Sequence, residues 1–453
     1  MGRAKSRSYE IDMYSGPVLP KMLQFAVPLM LSSVLQLMFN AADVIVVGRF
    51  AGDNSLAAVG STGTLVNFLI KFFMGFSIGG NVLVSRYYGA KQEEELRRTV
   101  HTSVTLSLIS GAALTVLGVI LARPLLKMLN VPAEIFDLAV LYMRIYFLGM
   151  TATMLYNFVS AILRAVGDTK RPMYYLTFAG VVNVVLNLFF VIVLHMDVAG
   201  VALATVISQC ISAVLVLRCL IKAEGPMKLE LNRLGVDLHK LRMIIQIGVP
   251  ASIQGILFSV SNLSIQSAVN SFGATAVAGN SAAASIEGFI SSAMSAFYQA
   301  VLSFTGQNIG AGHRERVNKV LLTGLGCAMT TGLVMGFGAY YFGAELLGLY
   351  TTSAAVVAMG LSRLRIMART YFLGGMQEAV VGSMRGMGHS ILPTIVSLVG
   401  ICGLRVLYIA TLFQMDAFHN LQSLYITFPI SWGVTLAAHL VCYFWVRRRA
   451  SNE

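Results

Sequence analysis

Asp43 is a carboxylate inside an apolar stretch, three residues after Asn40 and seven after Gln36. Those spacings return to one helical face, so the three polar side chains can line one cavity. An ionisable group at membrane depth costs at least a few kcal/mol against lipid, which makes it a functional candidate by default. Asp43 can take up a proton or Na+ there, or sit at a hydrated helix end beside Arg49. Asn183 and Asn187, four apart, share a face of a later span, and Thr205 lies in the one after it; interhelical hydrogen bonding is the alternative use of the two amides. Glu287 and Glu378 are the other intramembrane acids, either binding groups or structural partners of Arg405, Arg369 or Lys71. Lys71, Arg144 and Arg405 are expected to form salt bridges or to snorkel. Pro28 can bend the first span and change the surroundings of Asp43, or make an ordinary kink.

Enzyme chemistry has no comparable set of residues. The GxxxxGK[ST] pattern of nucleotide hydrolysis is absent, and histidines such as His101, His195 and His313 are isolated. No Ser/His/Asp arrangement stands out, so neither enzymatic activity nor a bound cofactor is expected. The five cysteines show no metal-ligand spacing and are expected to be small buried hydrophobes.

The elements that must position these residues are membrane helices. Of the 453 residues, 56% are hydrophobic and 12% charged, with a mean hydropathy of +0.74; soluble domains are about 45–50% apolar and about 25% charged. Twelve apolar spans are expected, at about 22–47, 57–84, 100–122, 135–160, 173–194, 198–221, 243–269, 275–304, 320–342, 358–383, 393–413 and 423–446. The net charge of +13 falls between spans, in a head with Arg3, Lys5, Arg7 and Lys21, near 86–99, 164–172 and 314–319, and in the tail Arg447-Arg448-Arg449. This is topology signalling rather than nucleic-acid binding, and it places both termini in the cytoplasm. Arg49, Arg123, Lys127 and, at one helix end, Arg363 and Arg365 fall on the opposite side.

The spans divide into two sets of six about a connection at 222–242. Val27-Pro28 returns as Val249-Pro250, Tyr88-Gly89-Ala90-Lys91 as Ile309-Gly310-Ala311-Gly312, and Arg164-Ala165-Val166-Gly167-Asp168 as Arg385-Gly386-Met387-Gly388-His389. The offsets stay at 221 to 222 residues. Parallel repeats of this kind suit transporters whose two halves rock about a site. The expected organisation is a cytoplasmic segment 1–21, an N-lobe 22–221, a cytoplasmic linker 222–242, a C-lobe 243–446 and a basic tail 447–453, an all-α integral membrane protein with two lobes around a central cleft.

The series Val27-Pro28, Gln36, Asn40, Asp43, Gly48-Arg49 and Ala57-Ala58-Val59-Gly60, with the two Gly-containing loops and their counterparts, resembles the multidrug and toxic compound extrusion (MATE) family over about residues 20–446. The resemblance implies a plasma-membrane antiporter, expected as a monomer, that exports organic, often cationic, amphipathic compounds against inward H+ or Na+. It implies an ion-coupling set of Asp43, Asn183, Asn187 and Thr205, which would also hold Na+, with Gln36, Asn40, Glu287 and Glu378 at the substrate cavity. Asn187 stands where many members carry an acid, so Asp43 would titrate alone; the seventh span has no acid. The nearest alternative is a lipid-linked precursor flippase, which would want Lys71, Arg144 and Arg405 in the central cleft; an intramembrane enzyme is a further one.

Overall fold

The structure is a computed structural model that describes residues 9–452. Arg3, Lys5 and Arg7 of the basic head and the side chain of Arg449 lie outside the described residues. The elements are α1 (Val18–Val46), α2 (Asp53–Gly89), α3 (Glu93–Met128), α4 (Ala133–Leu148), α5 (Met150–Ala165), α6 (Lys170–Leu188), α7 (Asp197–Ile221), α8 (Leu238–Asn270), α9 (Ala274–Gly310), α10 (Arg316–Tyr341), α11 (Gly343–Gly348), α12 (Ala354–Gly386), α13 (Ile391–Ser397), α14 (Leu404–Ala410) and α15 (Leu421–Asn452). Two are broken spans: α4 and α5 meet at Gly149 with a bend of 46°, and α13 and α14 are joined by a π-helical turn, Leu398–Gly403. The result is an all-helical, twelve-span membrane architecture with one short extra helix.

Ten of these spans are long and apolar enough to cross a bilayer on hydropathy alone when the bent pair counts as one. The other two, α9 and α12, are 37 and 33 residues long. Their polar residues, Asn280, Glu287, Gln307, Gln377 and Arg385 among them, are buried within the protein. On the other helices large apolar side chains such as Ile120, Val334 and Val441 point outward, as a lipid environment demands. Cys219 and Cys327 are buried, whereas Cys210 is exposed and corrects the expectation for that residue: its turn of α7 faces outward.

The repeat is written in the backbone. Left-handed residues fall at Gly52 and Gly273, at Lys91 and Gly312, and at Gly167 and Gly388, each pair 221 positions apart. The first pair starts α2 and α9, both 37 residues long. Gly fits a positive φ without strain, whereas Lys91 adopts its φ of 54° against the clash of its own Cβ.

Two compact units result. One comprises residues up to Asp12 and Leu31–Ser252, the other Met13–Met30 and Ile253–Glu453. The chain therefore changes unit within α1 and again within α8, in each case just after the proline, Pro28 or Pro250, that lies inside the helix. In the first unit the core gathers Leu114, Met143, Phe147, Phe158 and Val201. In the second, two clusters form around Phe428 and Trp432 and around Ile286 and Leu364. Its early segment is well held: Phe25 meets Phe304 edge-on with ring centroids 5.8 Å apart, and Asn308 donates to the Met13 carbonyl at 3.0 Å.

Candidate functional site

Close packing of α1 on α6 brings Asp43 to its partners. A Cβ on Gly180 would lie 1.9 Å from the Phe39 ring, so only glycine lets the two helices approach as they do. Asn187 Nδ2 then donates to Asp43 Oδ1, and also to Asn183 Oδ1 at 3.3 Å. Asn183 Nδ2 in turn donates to Thr205 Oγ1 at 3.4 Å, and that hydroxyl donates to the Val201 carbonyl at 3.0 Å. Asn187 is fully buried, and its Oδ1 has no hydrogen-bond partner among the described residues. π-Helical turns follow the two key residues, Val47–Ala51 after Asp43 and Phe189–Val193 after Asn187. Such turns often mark functional positions.

Gln36, Asn40, Asp43, Asn183 and Thr205 line one cavity of about 50 Å³ in the first unit. That is room for an ion with a water or two, and too little for an organic molecule of drug size. Asp43 pairs with Asn187 rather than with Arg49, and amides and hydroxyls of Gln36, Asn40, Thr205 and Ser208 line the cavity beside it.

The second unit holds a larger cavity of about 340 Å³, lined among others by Asn280, Glu287, Arg363, Tyr371, Glu378, Arg405, Phe428 and Trp432. Glu287 and Glu378 therefore share a cavity with each other, and not with Gln36 and Asn40. Glu287 is engaged: Arg363 donates to its two oxygens at 2.8 and 2.7 Å and to Asn280 Oδ1 at 2.6 Å. This corrects the placing of Arg363 at a helix end, because α12 begins at Ala354 and Arg363 lies nine residues inside it, 8% exposed. It also corrects the choice of partners for Glu287, which is neither Arg405, Arg369 nor Lys71. Arg369 is exposed and donates to the Arg365 carbonyl at 2.7 Å. Glu378 makes no ion pair or hydrogen bond among the described residues. Arg405, 4% exposed, donates through Nε to Ser431 Oγ at 3.0 Å. Lys71 and Arg144 are exposed and line neither cavity.

The MatE family model matches residues 28–189 and, a second time, 250–411, so each half of the repeat carries one copy. The chain belongs to the MATE family. Over 421 residues it is 30% identical to the probable multidrug resistance protein YoeA of Bacillus subtilis, covering 91% of this chain and 90% of that one. It is 29% identical over 398 residues to the probable multidrug resistance protein YpnP of the same organism, with coverage of 87% and 88%. A crystal structure of a MATE protein in complex with MaL6 superposes with a TM-score of 0.89 at 23% identity, over 97% of this chain and 98% of that one. This MATE chain is thus a multi-pass transporter protein of the multidrug-efflux type in family and fold.

Arg363 escaped sequence reasoning because Ser362 and Arg365 beside it imitate the polar start of a helix. The available signal was Glu287, a buried acid in α9 that must find a cation at membrane depth.

Proposed function

We propose that this MATE protein is a secondary antiporter of the cytoplasmic membrane. It would export amphipathic organic compounds, organic cations among them, in exchange for H+ or Na+ taken up at Asp43, with both termini in the cytoplasm and no partner subunit required. One observation carries the reading: in the first unit a cavity of ion size has Asp43 as its one lining acid, beside Asn183 and Thr205, and Asn187 links Asp43 to Asn183 by hydrogen bonds.

The amide of Asn187 supplies a simple readout of occupancy. With its NH2 turned to Asp43 it suits an ionised carboxylate with no ion bound. A proton on Asp43, or a cation between the two groups, would instead favour the carbonyl oxygen facing Asp43. That oxygen is the one without a hydrogen-bond partner. Na+ would be held through oxygens of Asp43, Asn187 and Thr205; a proton needs Asp43 alone. The size difference between the cavities, about 50 against about 340 Å³, supports an ion in the first unit and an organic substrate in the second.

The test is purified protein in liposomes, with a pH or a Na+ gradient imposed separately and uptake of a fluorescent organic cation followed. Asp43→Asn is expected to abolish gradient-driven uptake. Full activity in that variant removes Asp43 from the coupling reaction.

A further inference from the structure

The charge bias that orients membrane proteins does not account for Arg123 and Lys127, which by span count fall on the side poor in basic residues. The repeat does not require them either: 221 positions on, their counterparts are Ala344 and Gly348. Both cations stand near the end of α3, after residues 99–122, which hold no Lys, Arg, Asp or Glu. At about 1.5 Å per residue that stretch is about 36 Å long, against about 30 Å for the hydrocarbon core of a bilayer. Arg97 and Arg98 before it and Arg123 and Lys127 after it therefore reach the two headgroup layers.

The helix face that leads up to the two cations is apolar and turned outward. Ile109, Val116 and Ile120 are 55%, 56% and 65% exposed, and with Arg123 and Lys127 they recur at helical spacing along one face of α3. Beside the cations opens a groove of about 620 Å³, lined by Arg123, Lys127 and Asn130 together with Pro124, Val131 and Phe136, and no acid is among its described lining residues. Lys127 makes no ion pair or hydrogen bond among the described residues. Arg123 donates through Nη2 to Asp137 Oδ1 at 2.7 Å, and its guanidinium carbon lies 5.7 Å from the centroid of the Phe136 ring. Its other N–H groups have no acceptor among the described residues, and the pair with Asp137 is exposed on both sides, so it is weak and open to exchange.

Two like charges one helical turn apart repel each other, and an anion placed between them removes that repulsion. A small soluble anion would use the cations alone. A phospholipid uses both features, with its phosphate on the cations and a chain along the apolar face below them. A choline headgroup would bring its own cation against Arg123 and Lys127, so a headgroup of net negative charge is preferred.

We propose that Arg123, Lys127 and Asn130 hold the phosphate of an anionic phospholipid whose chain lies along Ile120 and Val116. The site shares no lining residue with the cavity of Asp43 and is independent of the coupling reaction.

The experiment places the full chain in phosphatidylcholine nanodiscs with a small fraction of a photoactivatable lipid, whose diazirine sits on one chain close to the glycerol. The probe carries either a phosphatidylglycerol or a phosphatidylcholine headgroup, and labelled peptides are quantified by mass spectrometry. The turn of α10 around Val334, 68% exposed and followed by no Lys or Arg over residues 335–362, is the internal reference. Relative to that reference, the phosphatidylglycerol probe is expected to label residues 116–136 at least about 10-fold more than the phosphatidylcholine probe. Arg123→Gln and Lys127→Gln should each cut this excess about 5-fold, and the double variant should bring it close to one. Inorganic phosphate added at constant ionic strength should leave the labelling unchanged.

Equal labelling by the two probes in the wild-type protein overturns the proposal, and this comparison needs no variant to fold. An undiminished excess in the double variant, with the reference labelled as before, overturns it as well. Loss of the excess on adding inorganic phosphate assigns the cations to a soluble anion and overturns the lipid site.

Discussion

Arg363→Gln removes the cation from the most buried ion pair among the described residues of the second unit, and its cost follows from the geometry. The guanidinium donates to Glu287 at 2.8 and 2.7 Å and to Asn280 at 2.6 Å, and its carbon lies 5.6 Å from the Tyr425 ring centroid and 5.5 Å from that of Phe428. Glu287 is only 3% exposed, so the variant strands a carboxylate with no other cation bonded to it. Removing one member of a buried pair costs about 3–5 kcal/mol, and that is the expected loss on unfolding in detergent. Glu287→Gln should cost less, about 2–3 kcal/mol, because the stranded guanidinium keeps Asn280 and two aromatic faces. The double variant leaves two neutral amides that can bond each other, at about 1–2 kcal/mol. The summed single costs therefore exceed the double cost by at least about 3 kcal/mol, and a double-mutant cycle on purified protein measures this excess. Costs that add, or single costs below about 1 kcal/mol, refute the view that the pair is held together by mutual neutralisation. The double variant should still export dye; if Glu287→Gln abolishes export without destabilising the protein, Glu287 touches substrate and the structural assignment is wrong.

Further expected outcomes concern other parts of the molecule. Asn187→Leu deprives Asp43 of its donor and of one Na+ ligand and should abolish Na+-driven transport in liposomes while leaving H+-driven transport in place, with dye binding in detergent changing less than about 3-fold, since the two cavities lie in different units. Lys91→Gly should raise stability by about 1 kcal/mol by relieving the left-handed backbone, in a denaturant titration against wild type. Gly180→Val would force α1 away from α6, because even a Cβ meets Phe39 at 1.9 Å, and should lower both thermal stability and transport. Asp237 accepts the N–H groups of Lys240 at 3.1 Å and His239 at 2.9 Å at the start of α8. Those bonds hold its carboxyl below the ordinary 3.8, so its stabilisation is present above that pH and is lost as pH falls through the lower folded value. Asp237→Asn should remove that acid-limb dependence while keeping the cap.

Much of this was legible from residue order. The loop repeats at an offset of 221 reappear as paired left-handed residues, because both halves need the same turns, and the Val-Pro repeat reappears as the prolines inside α1 and α8. The shared face of Gln36, Asn40 and Asp43 follows from helical periodicity, and all three do line one cavity. Partners were another matter. Asp43 and Asn187 are 144 positions apart, and periodicity says which way a side chain points without saying what it meets. Arg363 was misplaced for a related reason: hydropathy registers composition, and α12 is rich in arginines that point into protein as well as out of it. The π-helical turns beside Asp43, Asn187 and Arg405 depend on packing that no local pattern encodes.

Residues Met13–Met30 are made early yet belong to the unit whose remaining residues begin at Ile253. At roughly 5–20 residues per second, about 220 residues of synthesis separate them, a delay of roughly 10–45 s. Phe25 waits longer still for Phe304, and the Met13 carbonyl for Asn308, 295 positions later. The leading half of α1 therefore leaves the ribosome long before its partners in α9, and during biogenesis it must be sheltered by lipid or by an insertion factor.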